Sequence, residues 1–150
     1  MIHETIKNQI KEAMLAKDQV RLTTLRGLLS AFTNELVAKR RKPQETLTDE
    51  EALDVVIRNV KQRKDSIEQF KAGGRLDLAD SEEAELKILE SYMPEQMSEN
   101  EVRIAAEAKM KELGITDKAK SGMITGILMK ELKGKADGSL VKQVVENLLS

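Results

Sequence analysis

The chain has no cysteine and no tryptophan. Without a thiol, disulfides, thiolate catalysis and cysteine-ligated metal are all excluded. One tyrosine, two phenylalanines and two prolines occur in 150 residues. Strands favour aromatic and β-branched side chains, so this poverty argues against a β-sandwich. It also argues against a surface that stacks the bases of single strands. The one histidine, His3, has no second ligand near it and sits where chains fray, so neither a metal nor a catalytic role is expected of it. No apolar run approaches the roughly 20 residues of a membrane-spanning helix. The opening MIHETIKNQIK is amphipathic, with Glu4 and Lys7 breaking the apolar stretch that a secretory signal needs. These absences lead to the expectation of a cytoplasmic protein with no membrane partner.

Charge of one sign is missing too. Lys and Arg total 25 against 26 Asp and Glu, a net charge of −1. No global field drives such a chain onto nucleic acid, so any attraction must come from a local patch. DNA is not expected as a partner.

What is present is helical periodicity. Ile2, Ile6, Ile10 and Ala13 or Met14 line one face of a first helix. Leu22, Leu25, Leu29, Phe32 and Leu36 predict a second, ended by Lys39-Arg40-Arg41-Lys42-Pro43. Leu53, Val56, Ile57, Val60, Ile67 and Phe70 mark a long third helix, opened by a Thr48/Glu51 capping box and closed by Gly73-Gly74. Asp80-Ser81-Glu82-Glu83 reads as the start of a fourth, with carboxylates where the helix dipole favours them. Its buried face is Leu86, Leu89 and Met93, and Pro94 ends it. Ser98 and Glu101 form a second capping box, for a fifth helix that stops at Gly114. Thr116 or Asp117 caps a sixth, and Leu140, Val141, Val144, Val145, Leu148 and Leu149 line a seventh. The fold class is all-α. The expected organisation is a four-helix N-terminal lobe over 1–94 and a small three-helix lobe over 95–150, with the boundary near Met93–Ser98.

Several local strings carry a family likeness. They are Leu25-Arg26, Lys61-Gln62-Arg63, Gly74-Arg75 with Asp77-Leu78, Glu85-Leu86 and Tyr92-Met93-Pro94. The tail adds Gly134-Lys135-Ala136 and Leu140-Val141. On these the chain resembles the GatB/YqeY family over nearly its whole length. The C-terminal lobe is similar to the tail domain of the B subunit of tRNA-dependent amidotransferases. Where that subunit usually has Asn-Pro, this chain has Asp137-Gly138, and Asp caps a helix as Asn does. In the amidotransferase the tail helps to hold tRNA, while amidation is done by a catalytic cradle that has no counterpart here. The resemblance therefore implies association with tRNA, or with a protein of the amidation or translation machinery.

The residues themselves leave two readings open at most candidate positions. Lys39, Arg40, Arg41 and Lys42 form a cationic corner that suits phosphates, but short basic runs are common at helix ends, and a solvated end favoured by the dipole is the preferred reading. Lys130, Lys133, Lys135 and Lys142 lie on or near the last two helices and converge if these pack as a hairpin. They are either a docking edge for RNA or another partner, or solubilising residues around an ordinary turn. Arg26, Lys61, Arg63 and Lys64 fall on or beside apolar seams, with Glu82 and Glu85 as candidate partners. An Arg–Glu network fixing the bundle accounts for them more economically than a ligand pocket. Gly73-Gly74-Arg75 lacks the strand–loop–helix setting of a phosphate loop. Asp77, Asp80, Glu82 and Glu83 match no calcium loop, and helix capping explains them.

No nucleophile signature, metal set or cofactor motif occurs. The expected function is a non-catalytic helical module that binds tRNA or a partner in tRNA amidation or translation. The alternatives are a component of a carbon–nitrogen ligase using glutamine as amide donor, and a protein–protein adaptor without RNA binding.

Overall fold

The computed structural model describes residues 1–150. It consists of seven α-helices and one 3-10 turn, with no strand. No helix is long and apolar enough to cross a membrane. The chain divides into two compact units, Met1–Met93 and Pro94–Ser150, each with its own apolar cluster.

The first unit contains α1 (Ile2–Ala16), α2 (Gln19–Ala38), α3 (Asp49–Ala72) and α4 (Leu76–Glu90). Ile6, Leu25, Phe32, Leu36 and Val56 are fully buried at its centre. The turn from α1 to α2 is made by Lys17 in the left-handed conformation, and Asp18 caps α2 by accepting the Arg21 N–H. α2 stops at Ala38, well before Pro43. The proline is not what ends it. Arg40 takes a left-handed φ of 59°, and the Arg41 N–H donates back to the Leu36 carbonyl at 2.8 Å, closing the helix end.

α3 begins with the full Thr48/Glu51 capping box, each residue bonding the other's backbone. It packs most extensively on α4. The link between them is three residues, with Gly74 at a φ of 75° where a Cβ would be strained. α4 starts at Leu76, not at Asp80 as the carboxylates suggested. Its N-cap, Arg75, makes no side-chain cap bond, so nothing local announces the start. Glu82 and Glu83 lie inside the helix and reach across to α3 instead of capping: Glu82 meets Arg63, and Glu83 meets Lys71.

The second unit contains α5 (Glu99–Leu113), a 3-10 turn (Lys118–Lys120), α6 (Ser121–Glu131) and α7 (Gly138–Leu149). Ser98 and Glu101 make the second full capping box, and Gly114 ends α5 at a φ of 65°. Asp117 caps the 3-10 turn and Asp137 caps α7, each through a backbone N–H two residues on. The core is Val102, Ala106 and Met110 of α5, Ile115, Ile124 and Leu128, and Val141, Val144 and Val145 of α7. Burying each valine of α7 contributes roughly 1.5 kcal/mol of transfer free energy. The last helix is therefore an integral wall of this small core.

Candidate functional site

The second unit carries most of its lysines in one stretch of sequence. Residues 118–142 hold six lysines, at 118, 120, 130, 133, 135 and 142, against two acids, Glu131 and Asp137. Lys130 is in the last turn of α6, Lys133 and Lys135 are in the loop that follows, and Lys142 is on α7; all four are exposed. Both acids have other work. Glu131 pairs with Lys109 of α5 at 2.8 Å, and Asp137 accepts the Ser139 N–H as the cap of α7. The Lys109 ammonium is held above the ordinary lysine pKa, first by Glu131 and then by Glu112.

The loop carrying Lys133 and Lys135 is fixed by backbone bonds. Gly134 has a φ of 79°, and the Lys135 and Ala136 N–H groups both return to the Leu132 carbonyl. The Met97 N–H donates to the Lys135 carbonyl at 2.8 Å, and the Gln96 side-chain amide donates to the Gly134 carbonyl at 2.7 Å. This spends the loop's carbonyls inside the unit and leaves the Lys135 side chain exposed. On another side of the same unit, Glu99, Asn100, Arg103, Val144, Asn147 and Leu148 line an open groove of about 520 Å³.

The other cationic candidates are placed differently. Lys39 lies 3.5 Å from Glu51 and 3.9 Å from Glu35. Arg41 grips both oxygens of Glu51, at 2.9 and 3.0 Å, and also donates to the Thr46 carbonyl at 2.9 Å. Half of the cationic corner is thus tied into the entry to α3, while Arg40 and Lys42 stay exposed. Hydrogen bonding to the Thr48 backbone, then to Arg41, holds the Glu51 carboxyl down at about 2.

Arg63 reaches both Glu82, at 2.8 Å, and Glu85. Of the basic residues named on the seams, Arg63 is the one that meets these two carboxylates. Arg26, Lys61 and Lys64 are all exposed, so Lys64 does not sit on the apolar seam. Arg75 pairs with Asp77, two residues on, at the start of α4. The Tyr92 hydroxyl bonds the Gln9 side chain, and Arg21 donates to the same Gln9 oxygen at 3.2 Å. Burial pushes the Tyr92 phenol above its usual pKa.

Two features escaped sequence reasoning. Lys118 and Lys120 extend the cationic stretch, and a running charge count over 118–142 would have found them. His3 does not fray: it is 2% exposed, its Nδ1 accepts the Leu47 N–H at 2.9 Å, and its ring centroid is 5.0 Å from that of Phe32. No sequence signal marks that contact, because its partner lies on a distant loop. No group of three or more His, Asp or Glu is placed to hold a metal ion.

Comparison with known proteins agrees on kinship. The chain is 40% identical over 106 residues to altered inheritance of mitochondria protein 41, mitochondrial, of Lachancea thermotolerans, covering 70% of this chain and 51% of that protein. It is 35% identical over 133 residues to the protein of the same name in Saccharomyces cerevisiae (strain YJM789), covering 88% of this chain and 68% of that protein. The Kluyveromyces lactis protein of that name is 44% identical over 88 residues, 58% of this chain and 45% of the relative. The chain thus spans between about half and two thirds of the length of these relatives. The mitochondrial name of these relatives overturns the expectation of a cytoplasmic protein. That expectation tested only for a secretory signal and a membrane helix, and neither says anything about organelles. The model of the Yqey-like protein family matches residues 3–149, so the chain belongs to the YqeY-like family.

Proposed function

We propose that the chain is a non-catalytic helical module that binds tRNA through the lysine-rich half of its C-terminal unit. The observation that carries this reading is the charge distribution over residues 118–142: six lysines, with the two acids of the stretch engaged by Lys109 and by the cap of α7. The N-terminal corner supports it less well, since Lys39 and Arg41 already serve Glu35, Glu51 and the Thr46 carbonyl. The likeness of the tail to the tRNA-holding domain of amidotransferases points the same way. With three aromatic residues in the chain, contacts would be to phosphates and RNA shape, not to stacked bases.

Binding to tRNA measured against salt tests this. Three or four lysines on phosphates give a slope of log affinity against log salt of about −2 to −4. Changing Lys135 and Lys142 together to alanine flattens that slope by about 1.5 if both touch phosphate. The control is Arg40→Ala with Lys42→Ala, the exposed pair of the N-terminal corner. No binding at low salt, or binding lost only in the control pair, defeats the proposal. Amide transfer to misacylated tRNA by the purified chain would show a ligase component instead.

A further inference from the structure

We propose that His3 is a pH-sensitive latch that holds the first turn of α1 on the loop before α3, and that protonating its ring releases that turn. An imidazole that accepts the Leu47 N–H through Nδ1 is in its neutral form, with the proton on Nε2. The imidazolium carries a hydrogen on both nitrogens. Its Nδ1–H would point at the Leu47 N–H, turning an acceptor–donor pair into two opposed donors. Both residues are buried, Leu47 at 1% exposure and His3 at 2%, so water does not replace the lost bond without opening the contact. The ring also rests on fully buried Phe32 of α2, whose aromatic face offers a cation a weak attraction but no acceptor for the new Nδ1–H.

The charged groups around the latch do not rescue the imidazolium. On α1, Lys7 opposes it, and Glu4 favours it but less than burial and Lys7 disfavour it, being shared with Lys7 and the Thr46 hydroxyl. On α3, Asp49 takes the Met1 ammonium and the Ile2 N–H, and Glu51 is held by Arg41, Lys39 and the Thr48 cap. On α2, Glu35 pairs with Arg58 and Lys39. In the loop, Glu45 lies by Arg41 and the Lys42 N–H. Burial, then Lys7, lowers the ring's pKa below the ordinary histidine value of 6.5. The open form protonates first as pH falls, so the latch is at full strength above about pH 6.5 and weakens below it. The ties that remain, through Asp49 and Glu4, are exposed and individually weak.

His3 is the only histidine, so its ring resonances are unambiguous in an NMR titration of the full chain. The expected result is a ring pKa below 6.5, with amide-exchange protection at Leu47 and in the first turn of α1 falling up to tenfold per pH unit below that point, after correction for intrinsic exchange. Protection at Val56, in the core of α3, should stay level over the same range. His3→Asn keeps an acceptor near the Nδ1 position and cannot titrate, so it should remove the pH dependence. A ring that titrates at 6.5 or above overturns the latch, as does protection at Leu47 that is flat with pH. So does an equal loss of protection at Val56, which would mean global unfolding. If His3→Asn is poorly folded, the wild-type titration and exchange profile decide alone.

Discussion

Arg63 shows what a single side chain does in this fold. It stands on α3, roughly three-quarters buried, and meets two carboxylates of α4 that are buried to a similar degree. Remove it, and Glu82 and Glu85 are left near each other with their shared cation gone. Arg63→Ala should therefore destabilise the chain by about 2 kcal/mol, the scale of hydrogen bonds to charged groups, read from the urea midpoint. Arg63→Lys should recover only part of this, because one ammonium replaces a planar fork with five donors. A variant as stable as the parent would mean that the network is ornamental. Arg26 has a different position, exposed on α2, and its replacement by alanine should leave the midpoint within about 0.5 kcal/mol.

At the scale of the element, the entry to α3 concentrates the most local information. Thr48 and Glu51 satisfy each other's backbone, and Arg41 locks Glu51 from outside the helix. Thr48→Ala should cost about 1 kcal/mol. The Glu51 carboxyl, down at about 2 in the folded chain against an ordinary glutamate value of 4.5, contributes stability that is complete above pH 4.5. That contribution disappears as pH falls from 4.5 toward 2. Thermal melts across this window should show a decline that Glu51→Gln flattens; an unchanged decline would assign acid sensitivity to other carboxylates. Both capping boxes were legible from the chain, since Ser98/Glu101 and Thr48/Glu51 are closed within four residues. So was Gly114 as the stop of α5, because glycine takes the left-handed conformation of a helix end without strain. The start of α4 was not legible. Its acids mimic an N-terminus when read along the chain, and only their partners on α3 reveal them as mid-helix contacts. His3 and Arg41 were misread for the same reason: their roles are set by Leu47 and by Glu51 and Thr46, across a loop and not along a helix.

For the whole molecule, the informative quantity is how burial and charge are shared out. Each unit has its own cluster of buried residues, and the C-terminal one closes around α5, α6 and α7. We expect residues 94–150, expressed alone, to retain helical circular dichroism and to melt cooperatively. The margin is narrow, because a domain of about 60 residues buries only about 60% of its unfolded surface. A fragment without a cooperative melt would show that this core needs the rest of the chain. Charge is uneven although its sum is −1. Four of the six lysines of the cationic stretch from 118 to 142 were visible in the sequence: Lys130, Lys133, Lys135 and Lys142. What it took the fold to show was which basic residues are spoken for, and that depends on carboxylates far away in sequence: Glu51 for Lys39 and Arg41, Glu131 for Lys109.

The two bonds from Met97 and Gln96 to the Lys135 and Gly134 carbonyls tie a knot in the path of the chain. The strand of backbone that leads into the C-terminal unit and the lysine-bearing turn near its end are held as one piece. Whatever immobilises the turn also stiffens the threshold by which the chain enters the unit. The segment Pro94–Ser98 therefore acts less as a free tether than as a handle on the lysine loop.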